Sequence, residues 1–197
     1  MATKKTKQIV FVCTGNTCRS PMAQALLARE IEQLHIPGVT ASSAGTAAAK
    51  EGRLNPLSAQ VLAENGLSLD DFTSTLLDEK ILSTAKAIVC MTEEQRDHVS
   101  YMRWKLLSEQ GKKRISDNVY AFSAFCGRDV PDPYGYGIEE YRFVFALLQG
   151  GMYALMDKLL AKELKVMLQK ESGAAPESVE KPKKKRTYKK KQTADQA

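Results

Sequence analysis

The sequence predicts an α/β fold: a single doubly wound domain with a four-stranded parallel sheet flanked by helices. Three observations carry this expectation. Short apolar runs alternate with helix-length amphipathic stretches from residue 8 to residue 170, the order of parallel βαβ units. The first run, Gln8 to Cys13, holds Ile9, Val10, Phe11 and Val12 in succession, the mark of a strand buried on both faces. A length of 197 residues, 43% apolar and 26% charged, suits one well-cored domain.

The elements follow in order. After Cys13, a loop containing Gly15 leads to Ser20-Pro21, where a helix starts with Met22, Ala25, Leu26 and Ala28 on one side; proline is tolerated in a first turn. Pro37-Gly38 ends this helix, and residues 39–43 read as the second strand. Pro56 opens a helix that runs through Asn65 and is closed by Gly66. Residues 74–84 read as a further helix, and residues 87–91 as a third buried strand. Thr92, with Glu94 and Gln95, marks the N-terminus of a helix to about Met102. Residues 118–122 form the fourth strand, residues 127–137 a Pro/Gly-rich loop, and residues 138–170 a long amphipathic helix. Right-handed crossovers connect such strands.

Residues 1–7 read as a flexible N-terminus, 8–170 as the domain and 171–197 as a disordered segment. That last segment carries eight Lys/Arg against four Asp/Glu, so it supplies most of the net charge of +6. Its apolar content is too low to offset the entropy of ordering. With no aromatic beyond Tyr188, it reads as a solvated extension, weak polyanion binding being the alternative. No run of about 18 apolar residues predicts a transmembrane helix. Ile9–Val12 is too short for a signal-peptide core, which points to a cytoplasmic protein. The four cysteines form no Cys-x-x-Cys pair, and His35 and His98 fall on helix-like stretches, so no metal site is expected.

The chemistry concentrates in Cys13-Thr14-Gly15-Asn16-Thr17-Cys18-Arg19-Ser20-Pro21. The stretch lies between a buried strand and a helix N-terminus, where an open α/β sheet binds ligands. Loop N–H groups and the helix dipole make it a phosphate loop after the first strand. Gly15 permits an unusual backbone turn, and Arg19 can grip two phosphate oxygens with its planar fork. The same positive field favours a thiolate nucleophile at Cys13, with Ser20 placed to hydrogen-bond it. Neither Gly-x-x-x-x-Gly-Lys-Ser/Thr nor Gly-x-Gly-x-x-Gly occurs, which argues against a nucleotide cradle.

Cys13 through Ala23 resembles the signature loop of the low-molecular-weight protein-tyrosine-phosphatase family. Ser42-Ser-Ala-Gly-Thr46, Val89-Cys-Met-Thr92 and Asp132-Pro133-Tyr134 agree in order and spacing over residues 8–168. The resemblance implies phosphorylated protein substrates, no cofactor, and a phosphocysteine intermediate at Cys13. Arg19 and the loop residues Thr14, Gly15, Asn16, Thr17, Cys18 and Ser20 would bind the phosphoryl group, with Tyr134 beside it. Asp132 would be general acid and then base, with Asp129 as its rival. Asn16 and Ser43 match the family's loop-bracing pair, and Asp71 falls where many members carry a histidine. Cys18 matches the partner of a reversible disulfide with Cys13.

Thr17, where phosphotyrosine members carry a bulky aliphatic residue, and Asp132-Pro-Tyr-Gly-Tyr-Gly137 look more like the protein-arginine-phosphatase branch. Tyr134 and Tyr136 can also wall a phenyl ring. Phosphoarginine is thus slightly favoured over phosphotyrosine. An arsenate reductase using Cys90 and Cys126 as its relay, or a non-catalytic phosphoprotein-binding module, are the remaining alternatives.

Overall fold

Four strands, β1 (Lys7–Cys13), β2 (Val39–Gly45), β3 (Ala87–Cys90) and β4 (Val119–Ala121), form one parallel sheet in the order β2-β1-β3-β4. The computed structural model of the chain describes residues 6–171. Most of the expected flexible N-terminus and the whole Lys-rich run lie outside the described residues. β1 pairs with β2 from Lys7↔Val39 to Cys13↔Gly45, and with β3 from Ile9↔Ala87 to Val12↔Cys90. A strand paired on both edges and covered on both faces has no solvent side, and Ile9 through Val12 are each 0% exposed.

The helices are α1 (Arg19–Gln33), α2 (Pro56–Glu64), α3 (Glu79–Thr84), α4 (Glu93–Glu109), α5 (Ser123–Cys126) and α6 (Ile138–Glu171). Ile9 and Phe11 pack on one face of the sheet with Met22 and Leu26 of α1 and Tyr141, Leu148 and Leu155 of α6. Val10 and Val12 point the other way, against Leu82 of α3 and Val99 of α4. Each such side chain contributes about 1.5–3 kcal/mol on burial. Residues 138–165 of α6 are long and apolar enough to cross a membrane by length and composition. Their apolar side, including Val144, Leu148, Met152 and Leu160, is instead built into this core.

Local signals place most boundaries. Asn55 caps α2 by accepting from Leu57 N–H, with Pro56 opening the helix. Thr92 caps α4 by accepting from Gln95 N–H. α4 runs on past Met102 to Glu109 because its first breaker is Gly111 at φ 73°. The helix expected over 74–84 is a correction: only Glu79–Thr84 is helical. Gly45 N–H donates to Thr75 carbonyl and Leu77 N–H to Gly45 carbonyl, so the segment before it extends the edge of β2 in a parallel bridge at Leu76. Asp78 then caps α3 by accepting from Ile81 N–H. The sequence also missed α5, one short turn closed by Gly127 at φ 81°.

Candidate active site

β1 ends at Cys13 and α1 begins at Arg19, so residues 14–18 form a loop over the C-terminal end of the sheet. Cys18, in the N-cap position before α1, makes no side-chain cap, which leaves the first N–H groups of the helix and its dipole available to an anion. The left-handed residue of the loop is Asn16, at φ 54°. This corrects the expectation that Gly15 supplies the unusual backbone: asparagine tolerates that region by bonding locally. A Cβ on Gly15 would meet Thr17 Oγ1 at only 3.6 Å, an ordinary contact. Glycine is demanded instead at Gly45, where a Cβ would lie 2.5 Å from the Thr14 carbonyl oxygen. That close approach lets Thr46 and Ala47 N–H donate to the Cys13 and Thr14 carbonyls at 3.0 and 2.9 Å.

Cys13, 3% exposed, borders a cavity of about 230 Å³ lined also by Thr14, Gly15, Thr17, Cys18, Arg19, Asp132 and Tyr134. Asn16 N–H donates to Cys13 Sγ at 3.3 Å, and Ser20 Oγ lies 3.0 Å from the same sulfur. Ser20 Oγ already accepts from Asn16 Nδ2 at 2.9 Å. Ser20 Oγ also donates to the Ala44 carbonyl at 3.4 Å, so it faces both that oxygen and the sulfur. Cys13 Sγ thus accepts from the Asn16 N–H and pairs with the Ser20 hydroxyl.

Asn16 also donates to Ser43 Oγ at 2.8 Å, Ser43 donates to Gln24 Oε1 at 2.6 Å, and Asn16 Oδ1 accepts from Thr75 N–H at 2.7 Å. The Asn16–Ser43 brace is direct. Asn16 and Ser20 are each 0% exposed and do not line the cavity. Asp71 does not extend the brace; it is exposed and borders a separate groove with Gln24 and Phe72. Its expected place is taken by the Thr75 backbone.

Arg19 Nη2 donates to Asp132 Oδ2 at 2.6 Å and Nη1 to the Val130 carbonyl at 3.4 Å, while Nε has no partner. Asp132 stays half exposed, 51% at its side chain. Its loop is fixed by buried Val130, whose N–H donates to the Met91 carbonyl at 2.9 Å. Asp129, the rival acid, accepts Glu93 N–H at 3.0 Å at the start of α4 and does not line the cavity. Tyr134 lines the cavity with 69% of its surface exposed, whereas Tyr136 does not line it.

Cys18 Sγ lies 3.5 Å from the Tyr141 hydroxyl; burial and this thiol push the phenol up from its ordinary range. All four cysteines are free thiols. Burial in β3 pushes the Cys90 thiol up to about 12. Neither Cys90 nor Cys126 lines the cavity. The sequence reading missed Gln95 as a loop residue: its Nε2 donates to Thr14 Oγ1 at 3.1 Å while Oε1 accepts from Met91 N–H at 3.2 Å. Gln24 had a signal, since it stands one helical turn after Ser20 on the same face. Tyr141, far along the chain, had none.

The family model of low molecular weight phosphotyrosine protein phosphatases matches residues 8–166. A protein-arginine-phosphatase of Geobacillus stearothermophilus is 33% identical over 159 residues, 79% of this chain and 98% of that protein. A probable low molecular weight protein-tyrosine-phosphatase, EpsP of Ralstonia nicotianae, is 28% identical over 155 residues, 79% of this chain and 97% of that one. Among solved structures, a Cys-to-Ser mutant of the YwlE arginine phosphatase with a phosphorylated active-site serine superposes with a TM-score of 0.66 at 30% identity. That superposition covers 80% of this chain and 95% of the other.

Proposed function

The chain belongs to the low molecular weight phosphotyrosine protein phosphatase family, and we propose that it hydrolyses phosphorylated protein side chains through a phosphocysteine on Cys13, phosphoarginine slightly ahead of phosphotyrosine. One observation carries this reading: Cys13 Sγ, the Arg19 guanidinium and the Asp132 carboxylate converge on one cavity of about 230 Å³.

Phosphate binding exchanges partners. Arg19 gives up its pairing with Asp132 and takes two oxygens of the phosphoryl group, while loop N–H groups take the rest. Cys13 Sγ attacks phosphorus in line; the S–P bond forms and the bond to the leaving atom breaks, its electron pair leaving with that atom. Asp132, released from Arg19 and half exposed, takes up a proton from solvent and delivers it to the leaving atom. In the second step Asp132 takes a proton from water, water oxygen attacks phosphorus, and the S–P bond breaks. Inorganic phosphate leaves and the thiolate returns. Ser20 and Asn16 hold the sulfur in place throughout. The related phosphatase with phosphate on a serine at its mutated active-site cysteine supports the covalent intermediate.

Substrate preference rests on the cavity wall. Thr17 lines it with a short polar side chain, and Asp132, half exposed, is already placed against one guanidinium, that of Arg19. A carboxylate so placed serves a phosphorylated guanidinium twice, as proton donor to the leaving nitrogen and as ion partner of the product. Tyr134 favours the second reading, phosphotyrosine, because an exposed phenol at the cavity mouth can stack on an aromatic ring.

Paired turnover of phosphoarginine and phosphotyrosine peptides, with Cys13→Ser as blank, tests both levels. Faster phosphoarginine turnover is expected. Dominant phosphotyrosine turnover would overturn the preference and keep the chemistry, and hydrolysis retained by Cys13→Ser would overturn the chemistry.

A further inference from the structure

The N-terminal edge of the sheet, opposite Cys13, holds a second cavity of about 440 Å³, lined by residues that include Lys86, Arg103, Asn118, Tyr120, Lys158 and one carboxylate, Asp117. Its unusual member is Arg103 of α4. Only 6% of the residue is exposed, yet Nε and Nη1 are buried with no hydrogen-bond partner. Among the described residues no carboxylate lies within salt-bridge distance of it, although Asp117 acts on it from further off. An unpaired buried guanidinium is among the costliest features a fold can keep, because desolvation opposes its charge. A chain gains nothing structural from it, since an apolar side chain of similar size would pack there at no such cost.

The neighbours extend the same chemistry. Lys158 Nζ is held 5.3 Å from the Tyr120 ring and 5.5 Å from the Phe125 ring, which fixes a second cation at the rim. Lys86 and Ser116, both exposed, add a third cation and a hydroxyl. Asn118 Nδ2 donates to the Ala85 and Lys86 carbonyls at 3.0 Å each, which fixes the amide and leaves Oδ1 buried without a donor. Donors without acceptors and an acceptor without a donor therefore border one space.

We propose that this cavity is a binding site for a phosphate group, separate from the catalytic loop and held chiefly by the Arg103 fork and Lys158. A hydrogenphosphate or phosphate monoester fits the inventory: its oxygens take the guanidinium and ammonium hydrogens, and a P–OH or neighbouring hydroxyl serves Asn118 Oδ1. Four residues of β3, about 13 Å of strand, separate this edge from the catalytic end. The two sites therefore fill independently in space. The group enters either as free phosphate, the product of the family's reaction, or on a phosphorylated small molecule.

The test uses the full chain carrying Cys13→Ala, so that an ester probe is not consumed. Amide resonances are followed during titration with inorganic phosphate and, separately, with glycerol 3-phosphate, at constant ionic strength. Saturable shifts at residues 85–87, 103 and 116–120 are expected, distinct from those at residues 14–20. Arg103→Gln should weaken the first set at least tenfold and leave the second unchanged; Lys158→Ala, at an exposed position, serves the same purpose if Arg103→Gln does not fold. Tighter binding of the ester assigns a phosphorylated metabolite, and tighter binding of phosphate assigns the free ion. Shifts confined to residues 14–20, or shifts at residues 85–87, 103 and 116–120 that survive both substitutions, would overturn the proposal.

Discussion

Replacing Asn16 by alanine removes a wholly buried side chain that holds three partners at once: Ser20 Oγ, Ser43 Oγ and Thr75 N–H. Each lost hydrogen bond costs about 1 kcal/mol. Alanine at φ 54° adds roughly 1 kcal/mol of backbone strain that asparagine largely escapes. The expected destabilisation is about 4 kcal/mol, or a fall in melting temperature of roughly 10 °C for a domain of this size. Asn16→Gly loses the same bonds without the strain and should recover about 1 kcal/mol. Turnover should suffer more than binding: with the brace gone, Ser20 and the Asn16 N–H no longer fix Cys13 Sγ, and misplacing a nucleophile by about 1 Å costs on the order of 100-fold in kcat. Urea denaturation and steady-state kinetics on the two variants read both quantities. If Asn16→Ala stays within about 0.5 kcal/mol of the parent and keeps its kcat, the loop is held by something other than this network.

Asp132→Asn should lower kcat by about 100-fold or more by removing the proton donor, while inorganic phosphate inhibits more strongly because Arg19 no longer has a carboxylate to leave; weaker inhibition would refute the exchange of partners. Thr17→Ile should shift the ratio of kcat/KM towards phosphotyrosine over phosphoarginine by about tenfold, and an unchanged ratio would remove Thr17 from the specificity argument. Cys90 predicts an alkaline effect. Burial raises its thiol to about 12, so above an ordinary value near 9 the unfolded chain loses this proton while the folded chain keeps it. Its stabilising contribution is complete below that pH and declines by up to about 1.4 kcal/mol per unit as pH rises towards the folded value. Cys90→Val should flatten the stability curve between pH 9 and pH 11 by that amount, and parallel curves would refute it.

What could be read from the sequence was what local physics decides. The buried strand β1, the caps at Asn55 and Thr92 and the strand-to-helix loop carry their signals within a few residues. Residues 74–77 read as helix because nothing in their composition records that Gly45 and Asn16 offer them backbone partners. The site divides the same way. Cys13, Arg19 and Ser20 announce themselves by spacing, whereas Gln95 and Tyr141 reach the loop from more than seventy residues away. Gly15 and Gly45 exchange importance for a related reason: the need for a missing Cβ arises from the strand beside the loop, which no single segment displays.

The Arg19–Asp132 pairing joins the two halves of the site into one device. The residues that should meet the phosphoryl group and the leaving atom hold each other at 2.6 Å before either meets substrate. The buried Arg19 guanidinium is thereby paired at small cost, because Asp132 keeps half its surface in water. A dianionic phosphoryl group offers Arg19 more charge and a bidentate fit, so it displaces the carboxylate. In the mechanism proposed above, the displaced Asp132 takes up a proton from solvent and is the acid for the leaving atom. On that proposal binding and acid placement are one event, and a ligand without the phosphoryl charge leaves Asp132 paired. Selectivity for phosphorylated over unmodified side chains follows from that competition, before Thr17 or Tyr134 distinguishes one phosphorylated residue from another.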